Sequence, residues 1–121
     1  INDEFIDLTN PENLVVFDEG FQLNDFTINI KGYNFADYST ILELSNGQRV
    51  ITLKKQKGIF KSENNIEKVY FELKVPNAFS HYIIHSNYLI PPKSSDILSI
   101  WIRRVNHIYD VYVENLSVQS S

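Results

Sequence analysis

The chain has 121 residues, 43% of them hydrophobic, and a formal net charge of −4, which fits one domain with its own core and leaves no room for two. The absence of cysteine excludes disulfide frameworks, thiolate zinc clusters and thiol nucleophiles. No basic face points to nucleic acid, and no apolar run approaches the ~18–20 residues of a transmembrane helix.

Aromatic residues make up 13% of the chain and alanine occurs only at Ala36 and Ala78, a balance that favours strands over helices. With no methionine, even at position 1, the sequence reads as a single domain, 1–121, excised or processed from a longer protein.

Residues 1–13 are polar and acidic and read as an entry arm, with a short strand at Phe5 to Leu8 and a turn at Asn10-Pro11. Leu14 to Phe17 is a short apolar run closed by Asp18-Glu19-Gly20. Phe26 to Lys31 alternates with period two, which predicts a strand burying Phe26, Ile28 and Ile30. An aromatic-rich loop, Tyr33 to Ser39, leads to a strand at Thr40 to Leu44. Asn46-Gly47 then signals a hairpin, with Gln48 to Lys54 returning. Lys54, Lys55 and Lys57 before Gly58 read as a solvated hairpin end, and Ile59 to Lys61 as a short local pairing.

Glu63-Asn64-Asn65 is a turn, and Glu67 to Val75 alternates with Val69, Phe71, Leu73 and Val75 inward. Ser80 to Ile90 reads as one strand, broken by Pro91-Pro92. Ile97 to Arg103 alternates again, with Leu98, Ile100 and Ile102 on one face and Ser99, Trp101 and Arg103 on the other. Asn106 carries a turn, and Ile108 to Gln119 is the last strand. The result is about eight or nine short strands with regular turns and no helix, the pattern of a sandwich or barrel, and a two-sheet antiparallel β-sandwich is the expected fold.

Catalytic signatures are missing. There is no G-x-S-x-G elbow, and Gly20, Gly32, Gly47 and Gly58 are isolated rather than grouped in a phosphate loop. His81 and His85 lie four apart on a strand, hence about 13 Å apart, too far to share a metal held at ~2 Å. Glu43, Glu72, Asp110 and Glu114 read as solvent-face acids.

Binding has better material. Tyr33, Phe35 and Tyr38 stand beside Asn34 and Asp37, so one loop holds both aromatic planes and hydroxyl-binding groups. Phe35 also suits a plug for the end of the core. Trp101 faces outward beside Arg103, or, with the phase reversed, is itself buried. No cofactor is expected, although Asp3, Glu4, Asp7 and Glu114 would suit a structural calcium if the chain ends meet. Asn115-Leu116-Ser117 fits the glycosylation triplet, a match expected by chance in an Asn-rich chain.

Three segments of the last third carry a family resemblance. They are Tyr88-Leu89-Ile90-Pro91-Pro92, Ile97 to Ile102, and Val111-Tyr112-Val113-Glu114-Asn115-Leu116-Ser117-Val118. This set resembles the closing strands of galactose-binding-like jelly-roll carbohydrate-binding modules, and Phe26 to Lys31 resembles an early strand of the same type. Glu114 stands where those modules carry aspartate. A laminin-G-like or concanavalin-like sandwich is a weaker match.

The resemblance implies a jelly roll that binds carbohydrate or a cell-surface glycan without catalysing a reaction. Such modules belong to extracellular enzymes, adhesins or phage tails, and so lie outside the cell, at its surface or on a virion. Tyr33, Tyr38, Trp101 and Arg103 are the expected ligand contacts. No nucleic acid or membrane insertion is expected. A structural or self-associating domain of a phage tail or surface fibre is the alternative.

Overall fold

A computed structural model describes residues 25–45, 50–76 and 81–118. Seven strands lie in this range: β1 (Phe26–Gly32), β2 (Thr40–Ser45), β3 (Val50–Phe60), β4 (Ile66–Pro76), β5 (His81–His85), β6 (Leu98–Val105) and β7 (Ile108–Asn115). They form two antiparallel sheets, one of three strands in the order β1-β6-β7 and one of four in the order β2-β3-β4-β5. The sheets pack face to face as a sandwich around one core. The four-stranded sheet is a plain meander, and the chain changes sheet between β1 and β2 and again between β5 and β6.

The core follows from period-two alternation. Val69, Phe71, Leu73 and Val75 of β4 are buried, as are Ile51 and Leu53 of β3. Leu98, Ile100 and Ile102 of β6 and Val111 and Val113 of β7 meet them from the other sheet. Each such side chain contributes about 1.5–3 kcal/mol by leaving water. One end of the sandwich is closed by the edge-to-face chain Phe26–Tyr109–Tyr82, with both centroid separations at 6.3 Å. At the other end the Phe35 ring stands edge-on to Phe71 at 6.2 Å and serves as the expected plug.

Three expectations change. The lysine run is not a hairpin end but the middle of β3. The strand continues because its ammonium groups find partners. Lys55, 8% exposed, donates to the Phe35 carbonyl at 2.8 Å and pairs with Asp37 at 3.1 Å, while Lys57 pairs with Asp37 and Glu67. The runs at Gln48 to Lys54 and Ile59 to Lys61 thereby merge into one strand.

The strand expected at Ser80 to Ile90 stops at His85. Ser86 turns inward and accepts the Phe71 N–H with its hydroxyl at 2.8 Å. The pairing with β4 resumes at Leu89 opposite Val69, one residue out of step with the His85–Glu72 register.

The last strand ends at Asn115 rather than Gln119. The Asn115 side chain accepts the Ser117 N–H at 3.0 Å, and the Ser117 hydroxyl accepts the Ile97 N–H at 2.9 Å, closing a turn. The predicted arm at 1–13, the run at Leu14 to Phe17 and the Asn46-Gly47 turn lie outside the described residues. β2 and β3 pair antiparallel on either side of that turn, with Ser45 opposite Val50.

Candidate functional site

The outer face of the three-stranded sheet is organised in cross-strand rows. β6 and β7 are joined by Asn106 and His107, both at positive φ (51° and 68°), a two-residue hairpin turn of the kind that favours Asn. That turn fixes the register: Arg103 lies opposite Asp110, and Trp101 opposite Tyr112. On the other flank β1 sets Thr27 beside Arg103 and Asn29 beside Trp101.

Alternation points all these side chains away from the core. Trp101 is 42% exposed and Tyr112 52%. The Arg103 guanidinium donates to the Asp110 carboxylate at 2.9 Å. The Asn29 amide donates to the Ser99 hydroxyl at 2.8 Å and to the Ile100 carbonyl at 3.1 Å, which fixes the floor below Trp101. Thr27, Trp101, Arg103, Asp110 and Tyr112 line a shallow depression of about 380 Å³. Chemically, this is two exposed aromatic side chains, opposite one another in register, beside a donor and an acceptor.

Of the four expected contacts, Trp101 and Arg103 come together on this face, and the outward phase of Trp101 holds. Tyr33 and Tyr38 lie elsewhere, exposed on the β1–β2 loop, where Tyr38 adopts a φ of 60°. That loop borders a polar cavity of about 290 Å³ at the Phe35 end, lined in part by Asn34, Asp37, Lys55, Lys93 and Asp96. Hydrogen bonds from Lys55, more than those from Lys57, hold the Asp37 carboxyl below its ordinary value against the opposing effect of desolvation. The Asn115 amide and the Lys93 N–H do the same for Asp96.

The histidines are dispersed. His85 lies against Tyr70 and 3.5 Å from Glu72, His107 meets Arg104 in the β6–β7 turn, and the His81 side chain lies outside the described residues. Among the described residues no group of three or more histidine or acidic side chains is placed to hold a metal. Glu114 is exposed opposite Ser99, and its suggested calcium partners Asp3, Glu4 and Asp7 lie outside the described residues.

Sequence reading missed Tyr112, Asp110 and Thr27 as partners of Trp101. The signal was present: a two-residue turn at Asn106-His107 dictates which residue of β7 faces each residue of β6. It also missed an aromatic cluster on the opposite sheet, where Tyr70 lies near Phe60, His85 and Tyr88. Desolvation raises the Tyr70 phenol above its ordinary value, with smaller contributions from Glu72, Tyr88 and Tyr38. No protein-family model, curated protein or solved structure matches this chain. What sequence and structure establish is an all-β, two-sheet antiparallel sandwich of three and four strands, with no family assigned.

Proposed function

We propose that this chain is a non-catalytic carbohydrate-binding module on a jelly-roll sandwich, carried by an extracellular enzyme, an adhesin or a phage tail protein. One observation carries the reading: the exposed Trp101–Tyr112 pair directly beside the Arg103–Asp110 pair. Sugar rings offer C–H faces to aromatic planes, and their hydroxyls both donate and accept. The indole and phenol supply the planes, the guanidinium donates, and the carboxylate accepts. All four are mounted on paired strands, which fix the spacing of their backbones before a ligand arrives.

Retention of the protein on a panel of bacterial and plant polysaccharides tests the reading, with Trp101→Ala as the comparison. The expected result is binding by the parent protein and a loss of about tenfold or more, near 1.4 kcal/mol, in the variant. No retention on any glycan at millimolar concentration contradicts it.

A second reading, self-association through the same face, is favoured by the next row outward. There Val105 and Ile108 are paired and 43% and 66% exposed. Sedimentation velocity separates the two, since a monomer at high concentration removes the second.

A further inference from the structure

The outer face of the three-stranded sheet has a third row beyond the depression at Trp101. Lys31 of β1 lies opposite Ser99 of β6, and Ser99 opposite Glu114 of β7. Lys31 and Glu114 are exposed, and among the described residues neither forms an ion pair. Ser99 between them is buried and accepts from the Asn29 amide. Side chains on one face of a strand recur every second residue, so successive rows stand roughly 6.6 Å apart. The aromatic row Trp101–Tyr112 is thus flanked along the strands by charged side chains on both sides, Arg103 and Asp110 on one, Lys31 and Glu114 on the other.

The two rings of the middle row are open. Tyr70, Tyr82, Tyr88 and Tyr109 each pack against another ring, whereas among the described residues no ring packs against Trp101 or Tyr112. The groups able to take hydroxyls lie up and down the strands rather than across them. Across the sheet, the Asn29 amide already donates to Ser99 and to the Ile100 carbonyl, and past Tyr112 the described sheet ends with β7. Along the strands, the Arg103–Asp110 bond joins one guanidinium nitrogen to one carboxylate oxygen, so further donors and an acceptor remain.

We propose that this face binds an internal stretch of an unbranched, neutral polysaccharide, laid along β6 with three consecutive sugars over the three rows. It rests on the carbohydrate-binding reading of the Trp101 face and adds the length, direction and charge of the ligand. The middle sugar covers the aromatic row. One neighbour lies over Arg103 and Asp110, the other over Lys31 and Glu114, where an ammonium donates to its hydroxyls and a carboxylate accepts from them. A single terminal ring would leave two rows uncovered. The two cations and two carboxylates balance, so the face has no net charge with which to select an acidic sugar or a basic one.

Calorimetric titration tests this with linear oligosaccharides of glucose, xylose, mannose and galactose, one to six units long. The proteins are the parent, Trp101→Ala, and a double variant carrying Lys31→Ala and Glu114→Ala, whose substituted side chains are exposed and hold nothing in the described fold. For the sugar that binds, affinity is expected to rise about three- to tenfold with each unit up to three and then to level. In the double variant the three-unit ligand should bind no tighter than the two-unit one. A plateau at one unit, a rise continuing past three, or a third step unchanged in the double variant overturns the laid-down chain. With Trp101→Ala still weakening binding, each of these leaves the Trp101 reading standing. No binding by the parent, or binding untouched by Trp101→Ala, overturns both.

Discussion

At the scale of single residues, polar side chains complete backbone pairing that the strands leave open. Among the described residues β7 is an edge strand, and the backbone of Val113 faces away from β6. Asn87 pairs with it. Its amide donates to the Val113 carbonyl at 2.8 Å and its oxygen accepts the Val113 N–H at 2.9 Å, tying the β5–β6 connection to the opposite sheet. Asn87→Ala is expected to cost about 1–3 kcal/mol in urea unfolding, since both backbone groups lose their partner. A change below a few tenths contradicts this role.

Asp37 makes a pH-dependent contribution of known sign. Its folded pKa is lowered, chiefly by the Lys55 hydrogen bond, so its stabilisation is complete above the unfolded value of about 3.9 and is lost as pH falls through the folded value. Lys57 runs the other way. Its folded pKa is raised, first by Glu67 and then by Asp37, so its contribution holds below about 10.4 and fades as pH rises beyond it. Asp37→Asn should therefore destabilise the protein at pH 7 and match the parent near pH 2. Equal deficits at both pH values would show that the charge is not the cause.

At the scale of elements, strand identity was legible wherever alternation was uninterrupted. β1, β4 and β6 show the inward residues that period two assigns, half-buried in β1 and buried in β4 and β6, although Ser99 on the outward side of β6 is buried as well. The reading failed where tertiary partners override local pattern. Nothing local reveals that Asp37 and the Phe35 carbonyl neutralise Lys55, or that the Ser86 hydroxyl breaks β5 by accepting from Phe71. The site was half legible. Outward phase placed Trp101 with Arg103, but Tyr112 and Asp110 required the register of the β6–β7 turn.

Gly32 offers an element-level test. It is buried at the end of β1, and a Cβ there would lie 2.5 Å from the Phe35 ring. Gly32→Ala should push Phe35 off the core end and lower stability by about 1–3 kcal/mol, the range for overpacking. Near-UV circular dichroism should report the loss of fixed aromatic packing. An unchanged spectrum and melting temperature would mean that Phe35 is not a closing plug.

At the scale of the whole molecule, two antiparallel sheets share one core and turn two aromatic faces outward in opposite directions. The three-stranded face sets Trp101 and Tyr112 beside a charged pair. The four-stranded face sets Tyr70 and Tyr88 edge to face, 5.2 Å apart. The core fixes the backbone of both faces. Removing part of the core should therefore lower stability without altering the site chemistry. Phe71→Ala is expected to cost about 3–5 kcal/mol while the folded fraction keeps its affinity.

The most direct measurement uses Trp101, which is the sole tryptophan. Acrylamide quenching of its fluorescence is followed with and without a polysaccharide that retains the protein. The account predicts that saturating polysaccharide shields the indole and lowers the quenching constant, and that Tyr112→Ala weakens the sugar's effect. Unchanged quenching with the polysaccharide fully bound would place the binding face elsewhere and contradict the assignment of Trp101.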